Sequence, residues 1–198
     1  MGIAYKSFFK LDETGRLAAE NFKGCLKSTE IFQALDKEAQ ENTPARFLGA
    51  LMEMCEGLFT LPPEMTTFPL AENPFSMMGK MQQKIEKTDI DFVALCPHHL
   101  MPYFGKADVL YIPKDKYVGI SKIDRMVKWC AKRPITQEEL GEMIITRLVG
   151  ALGCDYIRVI INAKHTCNCC RGVTSNSMTS TVHEIDLRGG SNENECTE

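Results

Sequence analysis

The spacing of apolar positions changes period along this chain, and each change marks an element. In Thr-Asp-Ile-Asp-Phe-Val-Ala-Leu-Cys, residues 88–96, Ile90, Phe92 and Ala94 alternate with Asp91 and Val93, and from Phe92 onward both faces are apolar. That pattern predicts a strand that enters a core as it reaches Cys96. Residues 106–113 (KADVLYIP) predict a second strand, followed by a turn at PKDKYVG. Ser121 is then expected to cap a helix running towards Pro134, with Asp124 in place of the usual capping-box Glu. Thr136 caps the next helix with Glu139 as a full capping-box partner. Leu140, Met143, Ile144, Leu148, Ala151 and Leu152 form its apolar stripe and Gly153 ends it. DYIRVIINAKHTC and MTSTVHEIDL read as two further strands.

Before this block, Pro44 behind Thr43 predicts a helix start, with Phe47, Leu48, Leu51, Met54, Cys55 and Leu58 at helical spacing. Residues 1–42 are mixed and polar, with helix-compatible stretches, and read as an N-terminal helical appendage. The proline-rich LPPEMTTFPLAENPF reads as an extended connection. The polar RGGSNENECTE reads as a disordered tail. The expected fold class is α+β, an antiparallel sheet with two helices packed on one face, preceded by N-terminal helices. The expected division is appendage 1–42, main domain 43–187 and tail 188–198.

Composition narrows the function classes. At 198 residues and 44% apolar side chains the chain can bury a core without staples. A net charge of −3 offers no field for nucleic acid or an anionic membrane, so any polyanion must be held locally. Nine unevenly spaced cysteines, no signal peptide and no apolar run of membrane length predict a soluble protein of a reducing, cytoplasmic compartment.

Chemistry concentrates in two stretches, CPHHLMPYFGK at 96–106 and HTCNCCRG at 165–172, which hold three of the four histidines. Cys96 and His99 have the spacing of two metal ligands in a turn, and Cys167 offers a third at the end of a β-rich segment. Three such ligands leave a fourth tetrahedral position for water, the open arrangement of a catalytic zinc. His98 and His165 flank the ligands as candidate proton carriers. On a continuous strand His165 and Cys167, two apart, would face one cavity. Cys169 and Cys170 read as small packing groups. In SKIDR, Lys122 and Arg125 share one helix face near its positive end, an arrangement that an anion reconciles, and Arg171 and Arg46 can add charge. Gln137 and Glu138 open the next helix, where a buried carboxylate could accept the N1 and exocyclic amine protons of guanine.

Taken in order, TPARF, CPHHLMPYFGKADVLYIP, GISKIDRMVKWCAKRPITQEEL and HTCNCCRGV closely resemble the motifs of GTP cyclohydrolase I, over roughly residues 40–182. The resemblance implies a tunnelling fold and a toroidal homodecamer with active sites between subunits. It implies Zn2+ on Cys96, His99 and Cys167, with His98 and His165 assisting proton transfer. Ser121, Lys122, Arg125 and Arg171 would hold triphosphate and ribose, Arg46 a further phosphate, and Gln137 with Glu138 would read guanine. The implied reaction is hydrolysis of GTP at C8, loss of formate and rearrangement to 7,8-dihydroneopterin triphosphate, a step of pterin and tetrahydrofolate biosynthesis. Two rivals remain at this point: a metal-free thiol enzyme of deazaguanine metabolism on the same fold, and a structural zinc module.

Overall fold

The computed structural model describes residues 11–70 and 83–188. The first residues of the N-terminus, Pro74 and most of the C-terminal tail lie outside the described residues. The chain divides into two compact units, Met1–Glu56 and Gly57–Glu198.

The first unit is helical: α1 (Glu13–Lys27), α2 (Glu30–Gln33) and α3 (Lys37–Met54). Each start is fixed by a side-chain oxygen that satisfies a backbone N–H left over by the helix. Asp12 accepts from Gly15, Thr29 from Phe32 and Asp36 from Ala39. Packing of α1 on α3 is marked by stacked Phe22 and Phe47 rings, 5.2 Å apart. The expected helix start at Thr43 is corrected here: Asp36 supplies the cap, the helix begins at Lys37, and Pro44 is buried inside it. A boundary between residues 42 and 43 would cut this helix.

The second unit holds the strand pattern. Its sheet runs β2 (Ile85–Leu95), β3 (Pro102–Ile112), β5 (Tyr156–His165) and β6 (Thr179–Asp186), in that spatial order and antiparallel throughout. Helices α4 (Ile120–Ala131) and α5 (Gln137–Leu152) pack against it, α4 on β2 and α5 on β5 and β6. One face of the sheet is therefore apolar. Ile90, Tyr103, Val109, Val159 and Ile161 are buried there against Ile123, Leu140 and Leu148. Each such aliphatic side chain contributes about 1.5–3 kcal/mol over exposure. Helix α5 follows its sequence signals closely, with the Thr136–Glu139 capping box formed and Gly153 in the left-handed region at φ 62°. Gly141 is required by packing, since a Cβ there would collide with the His183 ring of β6.

Three local expectations are revised. The segment after β3 is more than a turn: it carries β4 (Lys116–Val118), which pairs with β1 (Thr67–Pro69) out of the proline-rich stretch. Helix α4 starts at Ile120 with Gly119 as cap and no side-chain capping bond. Ser121 therefore sits inside its first turn, while Asp124 pairs with Lys87 at 3.4 Å instead of capping. Finally, β5 stops at His165 and the next four residues form a helical turn, α6 (Thr166–Cys169), so Cys167 does not continue the strand.

Candidate active site

Cys96 is the residue after β2, and residues 96–101 turn the chain into β3. The Cys96 carbonyl accepts from the Leu100 N–H at 2.8 Å and from the His99 N–H at 3.4 Å, while the Cys96 N–H donates to the Met101 carbonyl at 2.9 Å. Leu100 is held in the left-handed region, φ 51°, by this tight reversal. The turn brings His99 Nδ1 to 3.6 Å and His98 Nδ1 to 3.8 Å from the Cys96 thiol. Antiparallel pairing of β3 with β5 sets Tyr103 opposite His165. The two rings stack at 4.6 Å with an interplanar angle of 5°. Immediately beyond, the Thr166 hydroxyl donates to the Pro102 carbonyl at 2.6 Å, and Cys167 comes back towards the β2–β3 turn. The ligand atoms of Cys96, His99 and Cys167 all lie within 4.8 Å of one another.

That cluster fits a single metal ion. Two ligands at tetrahedral Zn–S and Zn–N distances stand about 3.6 Å apart, the Cys96–His99 separation, and a sulfur pair about 3.8 Å. Burial, followed by the facing Cys96 thiol, pushes the Cys167 thiol up. Two thiols that face one another resist losing both protons until a cation lies between them.

The start of α5 is tied to the same corner by Leu95, whose carbonyl accepts from the Ile135 N–H at 3.0 Å. Gln137 is nearly inaccessible, at 2% exposure. Its amide nitrogen donates to the carbonyls of Ile161 (2.9 Å) and Thr179 (3.1 Å) and to the Thr181 hydroxyl (3.3 Å). With the NH2 group committed to two carbonyls, its Oε1 is the atom facing His165 Nε2 at 2.9 Å. An amide oxygen only accepts, so the imidazole carries its proton on Nε2 and keeps a lone pair on Nδ1. Burial holds His165 below its ordinary range, opposed by the Glu138 charge. Tyr103 is pushed up, first by burial and then by Glu138, and stays a phenol that donates to the Ile135 carbonyl at 3.1 Å.

A pocket of about 240 Å³ is lined by Gln137, Glu138, His165, Cys167, Asn168, Ser177 and Thr179. This is below the ~300–1,000 Å³ of sites that enclose whole drug-sized ligands, so it suits part of a nucleotide, such as a base. Glu138 is exposed rather than buried. Among the described residues its carboxylate has no hydrogen-bond or ion-pair partner, whereas the next residue, Glu139, is used by the capping box.

The cationic candidates Lys122, Arg125 and Arg171, and Ser121 with them, are not among the residues that line this pocket. Among the described residues the three cations make no ion pair. Arg46 belongs to the first unit, where its guanidinium grips Glu38 at 2.6 and 3.2 Å.

A family model described as GTP cyclohydrolase I matches residues 19–197. The chain belongs to the GTP cyclohydrolase I family. A relative from Pyrobaculum aerophilum, GTP cyclohydrolase 1, is 39% identical over 139 residues, which is 70% of this chain and 71% of the relative. GTP cyclohydrolase 1 from Campylobacter jejuni is 35% identical over 180 residues and covers 90% of both chains. Among solved structures, the apo form of the archaeosine synthase QueF-Like aligns with a TM-score of 0.41 at 17% identity, over 54% of this chain and 95% of that one. As a member of the GTP cyclohydrolase I family the chain is an enzyme, and the match extends further towards the N-terminus than the sequence motifs do, taking in most of α1.

Three residues that support this pocket were not singled out as functional by the sequence. Thr179 and Thr181 hold the Gln137 amide, and Tyr103 stacks on His165. The only trace is periodic: Thr179, Thr181 and His183 alternate along β6 and so share a face, as Tyr103 shares one with Val109 and Tyr111.

Proposed function

We propose that this enzyme hydrolyses GTP at C8, releasing formate and rearranging the product to 7,8-dihydroneopterin triphosphate, with one Zn2+ held by Cys96, His99 and Cys167. The observation that carries the reading is the three-donor cluster sharing Cys167 with a pocket that also holds an unpaired carboxylate and an oriented imidazole. A zinc ion in such an open three-ligand site lowers the pKa of a water towards neutrality and so supplies a nucleophile.

The remaining roles belong to the chain. Glu138, without a hydrogen-bond or ion-pair partner among the described residues, accepts the N1 and 2-amino protons of guanine, a pair of donors that adenine does not present. Gln137 supports that pocket through His165 rather than by contacting the base, since its amide nitrogen is already committed. His165, with its lone pair on Nδ1, moves protons during ring opening, and the exposed His98 beside Cys96 assists. Ser121, Lys122, Arg125 and Arg171 take the ribose and triphosphate, with Arg46 as a further contact. Among the described residues Lys122, Arg125 and Arg171 neither form ion pairs nor line the pocket, which suits a site completed between subunits, in keeping with the homodecamer that family resemblance implies. Among the described residues no helix is long and apolar enough to cross a membrane, and we assign the enzyme to the cytoplasm.

The test is incubation of the zinc-loaded protein with GTP, following formate and, after oxidation, pterin fluorescence. Stoichiometric formate with a fluorescent pterin is the expected result. GTP consumption without formate, or no turnover by fully zinc-loaded oligomer, overturns it.

A further inference from the structure

The stretch HTCNCC contains two thiols that the proposed reaction does not use. Cys169 ends α6 and Cys170 is its C-cap, the Cys170 N–H closing the turn on the Thr166 carbonyl at 2.9 Å. Their sulfurs face each other at 3.7 Å. Cys170 is exposed and Cys169 half-buried, so the pair is open to solvent. Neither belongs to the cluster of Cys96, His99 and Cys167. Adjacent residues on a helix ordinarily point their side chains apart, so the approach of these two sulfurs is a feature of this turn.

The separation has a chemical meaning. Two thiolates on one tetrahedral centre with bonds of about 2.3 Å stand about 3.8 Å apart. Sulfur ligands select soft ions over Mg2+ or Ca2+. We propose that Cys169 and Cys170 form a second, solvent-facing dithiol site that takes one soft, thiophilic ion across both sulfurs. A divalent metal bound there displaces two protons, M2+ + 2 RSH → M(SR)2 + 2 H+. A trivalent arsenical loses its oxygen as water, R′As=O + 2 RSH → R′As(SR)2 + H2O. With only two protein ligands the pair holds a metal more weakly than the three-residue cluster does and exchanges it readily. It lies between Cys167 and Arg171 in the chain, so an occupant constrains the segment that carries both.

The test uses the full chain with one equivalent of zinc already bound, which protects Cys96 and Cys167. Phenylarsine oxide is the probe, read by native mass spectrometry and by the count of free thiols. One adduct per chain with loss of two titratable thiols is expected, and either Cys169→Ser or Cys170→Ser should weaken capture at least tenfold while the first zinc stays bound. Cys25→Ser should capture as the parent does. Zinc added beyond the first equivalent separates the two kinds of occupant. A second, weaker equivalent lost in both single variants assigns the pair to divalent metal, and an arsenical adduct without it assigns the pair to trivalent ions. No adduct in the unsubstituted protein, or an adduct that survives in the Cys169→Ser/Cys170→Ser double variant, overturns the proposal.

Discussion

At the ends of β2 and β5 the chain brings three soft donor atoms within 4.8 Å and backs them with a stacked tyrosine and an amide whose every polar atom is engaged. Lys122, Arg125 and Arg171 receive no such support: among the described residues they form no ion pair and do not line the pocket beside Glu138. The contrast follows from range. Metal coordination and proton transfer act over a few tenths of an ångström, so their groups must sit on rigid elements before substrate arrives. A triphosphate is attracted over several ångströms, and long flexible cations can close on it afterwards. In our reading, the donor cluster and the imidazole are set within one chain, and the cations belong to a site that a neighbouring subunit completes.

Substitutions on the two sides should behave differently. The largest effect is expected for Cys167→Ser, which removes a ligand of the cluster. Its metal affinity should fall by more than the ~10–100-fold that losing a mere outer-shell partner costs, with activity following. Cys169→Ser should keep the first metal equivalent. Full metal content in Cys167→Ser, measured by elemental analysis, would break the ligand assignment.

His165→Ala should come next, with turnover reduced ~10²–10⁴-fold while zinc and GTP remain bound. Zinc loss equal to that of Cys167→Ser would move His165 from proton transfer into the metal shell. For Glu138→Ala, whose carboxylate makes no bond within the described residues, the unfolding temperature should barely change. Its kcat/KM for GTP should fall ~10²-fold or more, with discrimination against ATP relaxed. Unaltered GTP kinetics in this variant would take guanine reading away from Glu138.

Smaller effects test the scaffold on each side. Gly141→Ala forces a methyl into the His183 ring, and overpacking of this kind costs about 1–3 kcal/mol in denaturant unfolding. Because the same helix and strand carry Gln137 and Thr181, the variant should also slow turnover, and a cycle with His183→Ala should show coupling above about 0.5 kcal/mol. Strict additivity would mean that the ring simply moves aside. Smallest of all, Arg46→Ala should leave the unfolding temperature almost unchanged, because Arg46 and Glu38 are 57% and 60% exposed and water screens their attraction. A clear drop in unfolding temperature would make Arg46 a structural residue instead of one held ready for an anion.

Much of this was legible in local patterns, because local patterns answer to local physics. The capping box of α5 and its stop at Gly153 involve groups within four residues of one another, and the structure keeps both. The strand at Cys96 and those after Cys154 follow from alternation that a half-buried sheet imposes. Where expectations failed, a competing interaction of similar size lay nearby: Asp36 outbid Thr43 as the start of α3, and Gly119 displaced Ser121 at α4. The strand argument that joined His165 to Cys167 was wrong about the backbone, since α6 intervenes, yet the two side chains still line one pocket.

By itself the sequence determined the residue types, the order of the motifs and the elements on which they sit, because those depend on neighbours a few positions away. Tertiary structure alone decided that, of the nine cysteines, Cys167 is the one brought back to Cys96 and His99. It also decided that Gln137 spends its amide on Ile161 and Thr179 and so orients His165. Those outcomes depend on the β3–β5 and β5–β6 registers, where a slip of one residue would turn every side chain to the opposite face. Register is set by the burial of the whole apolar face at once, and no short stretch of sequence contains it.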